Sequence, residues 1–194
     1  HYDPMLAKVI AWGQNRDEAR RRLIRSLEDT TVFGVTTNRH FLSRIIADET
    51  FGAGGATTAF LQQAFKDDPS LQPQNLTIRQ LALAACVLDH GISGQSAWSN
   101  APATMTPIKL ETGDTTVELL VTRSGSRLSV SMGETRHSLV LESQRDGHLC
   151  IIDNGVRQAC QYHRQGDSLY LQAFGQSWSV RDVTHQPART AGGA

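Results

Sequence analysis

Seven histidines and three cysteines are the residues of this chain best suited to hold a metal or begin nucleophilic chemistry, and their spacing supports neither. His1, His40, His90, His137, His148, His163 and His185 make no HxxxH, HxH or HExxH pairing, the spacings that bring two imidazoles to one side of an element. No metal site is expected. Cys86, Cys150 and Cys160 fit no zinc-ligand spacing, and an odd count argues against an extracellular disulfide framework; reduced packing residues in a reducing compartment are expected. Ser99, Ser124 and Ser177 lack the Gly-x-Ser-x-Gly setting of a strained nucleophile turn. Asp3 and Lys8 could pair as acid and base, but five positions apart on a strand they face opposite ways. Phe51-Gly52-Ala53-Gly54-Gly55 is glycine-rich, yet no Gly-Lys-Ser/Thr follows to bind phosphate and magnesium, so it reads as a turn. No catalytic residue is assigned.

The elements that would position any site can be read from pattern. At 194 residues and 39% hydrophobic content the chain can bury a core as one domain or two small ones. Nineteen basic and nineteen acidic residues cancel, which argues against a nucleic-acid or anionic-membrane partner drawn by bulk charge. The longest apolar run, Leu81 to Leu88, is far shorter than the roughly 20 residues of a membrane span.

Residues 4–12 read as a strand ended by Gly13. Asn15 then caps a helix, with Glu18 reaching back and Ala19, Leu23 and Leu27 on one face. The arginines around it, Arg16, Arg20, Arg21, Arg22 and Arg25, read as a solvated face. A short strand at Val32-Phe33-Gly34-Val35 and a helix capped by Asn38, burying Phe41, Leu42, Ile45 and Ile46, follow. This strand-helix-strand-helix order ends too soon to close its own core, and is expected to complete a sheet supplied by residues outside the 194. Pro and Asp crowd residues 67–75, a linker signal.

Beyond the linker, Thr77 and Gln80 form a capping box with Leu76 and Leu81 as a hydrophobic staple. The helix they open, to about Asp89, is apolar on every face from Leu81 to Leu88. Such a helix must be surrounded in a soluble protein. The wrapping is expected from alternating segments at about residues 108–111, 116–123, 126–132, 135–142, 147–153, 155–162, 168–173 and 176–183. Glycine-bearing turns separate them, and Asn154-Gly155 suits a type I′ hairpin. About eight antiparallel strands can close into a barrel with no exposed edge. The fold class expected is α+β: a terminal α/β segment, then a barrel around a central helix.

Two stretches carry a family resemblance. Tyr2-Asp3-Pro4-Met5-Leu6-Ala7-Lys8-Val9-Ile10, Trp12-Gly13, Asn15-Arg16-Asp17-Glu18-Ala19, Gly34-Val35-Thr36-Thr37-Asn38 and Phe41-Leu42 together resemble the end of the biotin carboxylase domain of biotin-dependent carboxylases. Asp153-Asn154-Gly155-Val156-Arg157, Asp167 to Leu171 and Trp178 to His185 resemble the domain that follows it in acyl-CoA carboxylase α subunits. In those subunits this BT domain, a long helix encased by an eight-stranded barrel, docks the carboxyltransferase β subunit.

The resemblance implies the end of a biotin carboxylase domain at residues 1–66, a linker at 67–75 and a BT domain at 76–185. Within the last, a central helix spans 76–89, a hook-like loop 90–107 and the barrel 108–184; residues 186–194 would lead toward a biotin carrier domain. The family's ATP, magnesium and biotin-enolate ligands precede the position of Tyr2, so the chain is expected to hold no cofactor and to be inactive alone. Thr58 matches a residue at the edge of the adenine pocket, with threonine where isoleucine is frequent. Ala97-Trp98-Ser99 matches the hook that contacts the β subunit, though Trp98 could equally plug one barrel end.

The implied holoenzyme uses biotin, ATP, magnesium and bicarbonate. The 3-methylcrotonyl-CoA type is favoured, with geranyl-CoA carboxylase as the alternative, because Pro107-Ile108-Lys109-Leu110 replaces the Trp-Arg-Leu-Asn frequent in the first type. A bacterial cytoplasm or a mitochondrial matrix is the implied location. A free-standing small-barrel binding module is the alternative from another class.

Overall fold

The computed structural model describes residues 5–71, 75–92 and 104–186. Contacts divide the chain into two units, His1–Gln74 and Asn75–Ala194.

In the first unit α1 (Arg16–Asp29), α2 (Arg39–Ala47), α3 (Glu49–Gly52) and α4 (Phe60–Ala64) follow one another. Asn15 caps α1 by accepting from the Glu18 amide, and Glu18 reaches back to the Gln14 amide at 2.7 Å. Gly13 is required by close approach: a Cβ there would lie 2.4 Å from the Ala19 nitrogen. The small core joins Ile45, Phe60 and Phe65, with Phe41 edge-on to Phe65 at 5.8 Å.

Several expectations for this unit change. The strands expected at 4–12 and 32–35 are irregular over the described residues, because a strand needs a neighbour for its backbone groups and no described residue of this unit forms one. Met5, Leu6, Ile10 and Trp12 are accordingly exposed. Asn38 stands at the N-cap of α2 without a side-chain capping bond, and Leu42 faces outward at 36% exposure. Arg20 belongs to packing rather than to a solvated face, since its guanidinium donates to the Ile46, Ala47 and Asp48 carbonyls at 3.0–3.2 Å. The Ile46 and Ala47 carbonyls are ones the C-terminus of α2 leaves unpaired, while that of Asp48 also accepts from the Gly52 amide at 2.9 Å.

In the second unit the Thr77 amide donates to Gln80 Oε1 at 2.9 Å and the Gln80 amide to Thr77 Oγ1 at 3.3 Å, completing the capping box. The helix it opens, α5 (Ile78–Ile92), runs nearly a turn past Asp89. Eight strands follow: β1 (Thr104–Thr112), β2 (Thr115–Ser124), β3 (Arg127–Met132), β4 (Thr135–Arg145), β5 (His148–Asp153), β6 (Val156–Gln165), β7 (Ser168–Ala173) and β8 (Gln176–Asp182). They form a closed antiparallel barrel in sequence order. The seam between first and last strands pairs Leu110 with Asp182 and Glu111 with Arg181. Asn154 and Gly155 have φ of 49° and 80°, both positive as a type I′ turn demands.

The core of this unit is α5 itself. From Leu81 to Leu88 no residue is more than 3% exposed, and alternate strand residues such as Val121, Leu128, Val130, Leu169 and Leu171 close on it completely. Alanine at 82, 84 and 85, each fully buried, suits an interior narrow enough that the helix must carry small side chains where strands approach it.

Candidate functional site

Two ion pairs tie the helix to the barrel, one at each end. On the inner stripe of β5, Leu149 and Ile151 are followed by Asp153, whose side chain is 1% exposed. Its carboxylate binds Arg79 Nε on one oxygen and His137 Nε2, 2.9 Å away, on the other. The Arg79 guanidinium also lies 3.6 Å from the centre of the Phe174 ring, which stacks on Trp178 at 6.4 Å. Phe174 adopts φ of 55°, a costly conformation for a side chain of its size, at the turn that aims its ring at Arg79.

At the other end Asp89 meets Arg123 Nη1 at 2.9 Å, with both side chains largely buried. Arg123 follows Val117, Leu119 and Val121 on the inner stripe of β2. A cation in the first turn of a helix and an anion in the last oppose the helix dipole, each by about 0.3–1 kcal/mol. Carboxylate and guanidinium partners on the barrel offset that cost. The pairs lie ten residues apart on α5, about 15 Å along its axis, so they fix its depth in the barrel.

Sequence reasoning gave none of these five residues, Arg79, Asp89, Arg123, His137 and Asp153, a role in pairing the helix to the barrel. The signal was present: each strand member continues the inward alternation of its strand, where only a paired charge is tolerable.

Two of the thiols, Cys86 and Cys160, are enclosed and inert in this setting. Burial pushes Cys86 and Cys160 up to about 12. Cys150 is held above its ordinary value chiefly by its bond to Glu142, 3.1 Å away.

Thr58 lies exposed in the turn before α4. Ala97, Trp98 and Ser99 lie outside the described residues. Among the described residues no group of three or more histidine, cysteine, aspartate or glutamate side chains could hold a metal ion. A lone exposed threonine does not fit a magnesium nucleotide. No described helix is long and apolar enough to cross a membrane.

The geometry thus defines a class: an antiparallel eight-stranded barrel module whose own helix fills the lumen over the described residues. Residues 1–63 match the family model of the biotin carboxylase C-terminal domain, and residues 76–185 that of the methylcrotonyl-CoA carboxylase α-subunit BT domain. The second match covers more than half of the 194 residues, and the chain belongs to that family.

Similar proteins include the mitochondrial methylcrotonoyl-CoA carboxylase subunit alpha of Arabidopsis thaliana, 31% identical over 53% of this chain and 16% of that protein. The Rattus norvegicus subunit of the same name is 36% identical over 45% of this chain and 12% of its own length. Pyruvate carboxylase of Pichia angusta is 38% identical over 49% of this chain and 8% of its own length. The chain therefore spans less than a fifth of the length of these relatives.

Proposed function

We propose that this chain is the part of a biotin-containing acyl-CoA carboxylase α subunit that docks it onto the carboxyltransferase β subunit, and that it performs no carboxylation itself. The observation that carries the reading is the barrel filled by α5: an interior with nothing exposed from Leu81 to Leu88 leaves function to the surface. That filling also opposes a free-standing barrel with a small ligand inside. The BT-domain match and the names of the relatives favour 3-methylcrotonyl-CoA as the holoenzyme's substrate over geranyl-CoA. In this reading biotin, ATP, magnesium and bicarbonate act elsewhere in the holoenzyme, in a mitochondrial matrix or a bacterial cytoplasm. Ala97, Trp98 and Ser99 contribute to the contact with the β subunit, and Thr58 lies at the edge of the adenine pocket.

Co-expression of the chain with the β subunit of a methylcrotonyl-CoA carboxylase and, separately, of a geranyl-CoA carboxylase tests the reading by light scattering. A stable complex with the first is expected, and association with neither overturns it. Trp98→Ala refines the contact: lost association with unchanged melting places Trp98 at the interface, whereas lowered melting with intact association makes it a plug.

A further inference from the structure

The closing seam of the barrel is staggered, and β8 overhangs it. β1 and β8 are registered at Leu110 with Asp182 and Glu111 with Arg181, and the Val183 amide donates to the Lys109 carbonyl at 2.9 Å. The Asp182 amide points the other way, to the Asp167 carbonyl at 2.8 Å, on the β7 side. Backbone groups alternate along a strand, so those of Ser179, like those of Arg181 and Val183, are directed at the β1 side. No described strand is registered opposite Ser179 there. The chain turns away into β2 at Gly113, whose φ is 57° and which brings no side chain to the space. The matching overhang on β1 carries Pro107, in step with Lys109, and proline has no N–H to offer. One overhanging edge is thus blunted and the other is not.

A cleft of about 170 Å³ lies at the unblunted edge. Tyr170 and Ser179, registered opposite each other on β7 and β8, line one side, and Glu111 and Gly113 line the other. It reaches Val180, a residue of the inner stripe that is 3% exposed. Arg181 Nη2 binds Glu111 at 3.0 Å, which balances the charge of the lining, whereas Arg181 Nε is enclosed and meets no acceptor.

We propose that this edge takes an extended, uncharged peptide segment of a partner chain as an added strand beside β8. One guest answers all three observations. Ser179 calls for a backbone donor and acceptor, Arg181 Nε calls for a carbonyl oxygen, and the balanced Arg181–Glu111 pair favours no charged side chain. An extended main chain supplies both kinds of group at the spacing of a β ladder, and its alternate side chains reach the cleft. A free anion would satisfy Arg181 alone and would meet the Glu111 carboxylate. The guest is defined by its backbone, so the site stands or falls apart from the docking reading above.

The test titrates the full chain, labelled with nitrogen-15, with a blocked peptide of alternating threonine and valine flanked by lysines for solubility. Two further peptides carry N-methyl groups on every second residue, one in each phase. Saturable shifts of the Ser179 and Arg181 amides and of the Arg181 Nε–H are expected with the parent peptide. One methylated phase is expected to bind about tenfold more weakly, the loss of its hydrogen bonds to β8, and the other as the parent does. Ser179→Pro, which removes the edge N–H, is expected to weaken binding about tenfold. Arg181→Lys keeps a cation beside Glu111 but lacks the Nε donor; it is expected to weaken binding about fivefold and serves should Ser179→Pro not fold. No saturable shift at millimolar peptide, equal binding of both methylated phases, or unchanged binding by Arg181→Lys overturns the proposal.

Discussion

Asp153 binds Arg79 across 74 positions of sequence, joining the inner end of β5 to the first turn of α5. The carboxylate is almost fully enclosed and shared with His137, whereas the Arg79 side chain is 40% exposed. Truncation therefore strands two donors without a buried acceptor. Asp153→Ala is expected to destabilise the barrel unit by about 3 kcal/mol, the low end for a broken buried pair because Arg79 can recover some hydration. Glu118→Gln, at the exposed Lys109 pair, is expected to change it by under about 0.5 kcal/mol. Urea unfolding of the two variants checks the contrast.

A filled barrel is sensitive to the volume of its filling. Leu83→Ala, at a fully buried site, is expected to cost about 3 kcal/mol through lost burial and an uncollapsed cavity, and Ala84→Leu about 1–3 kcal/mol through overpacking. Leu120→Ala, on the outer face at 38% exposure, is expected to cost under about 1 kcal/mol. Loss from both directions at α5 with little effect at Leu120 is the signature in calorimetry; tolerance of Ala84→Leu contradicts a close-packed lumen.

Thiol labelling separates the three cysteines. With Cys86 and Cys160 near 12, only about one part in ten thousand is thiolate at pH 8. Ellman's reagent is expected to find one reactive thiol, Cys150, in the native chain and three in urea. Because the Glu142 bond raises the Cys150 thiol, Glu142→Gln lowers it, enlarging the thiolate fraction and speeding the reaction at fixed pH. A slower reaction in that variant contradicts the assignment.

The barrel was legible because each turn signal is local. β4 and β6 differ from the strands expected at 135–142 and 155–162 mainly in running three residues further, and the Asn154-Gly155 turn needs only its own two residues. The central helix was legible for a complementary reason, since an apolar surface on every side from Leu81 to Leu88 has no stable place outside. The pinning charges escaped notice because Arg123 and Asp153 lie near strand ends, where a polar residue normally marks departure from the core. Only the depth of α5, a tertiary quantity, makes them inward partners. The strands expected in the first unit failed for the reverse reason: strand propensity in Val9-Ile10-Ala11 cannot form a ladder without a neighbour.

The seam between β1 and β8 has a consequence for synthesis. The ribosome delivers the rod before any stave, and the last stave meets the first through Leu110, Glu111 and their partners, with the Val183 amide donating to the Lys109 carbonyl at 2.9 Å just beyond. Each newly emerged hairpin can therefore add to a hydrophobic template already in place, and the ring never has to admit a finished plug. A circular permutant with the rod last would reverse that sequence, leaving a greasy hollow waiting for its stopper and inviting a neighbouring molecule to supply one.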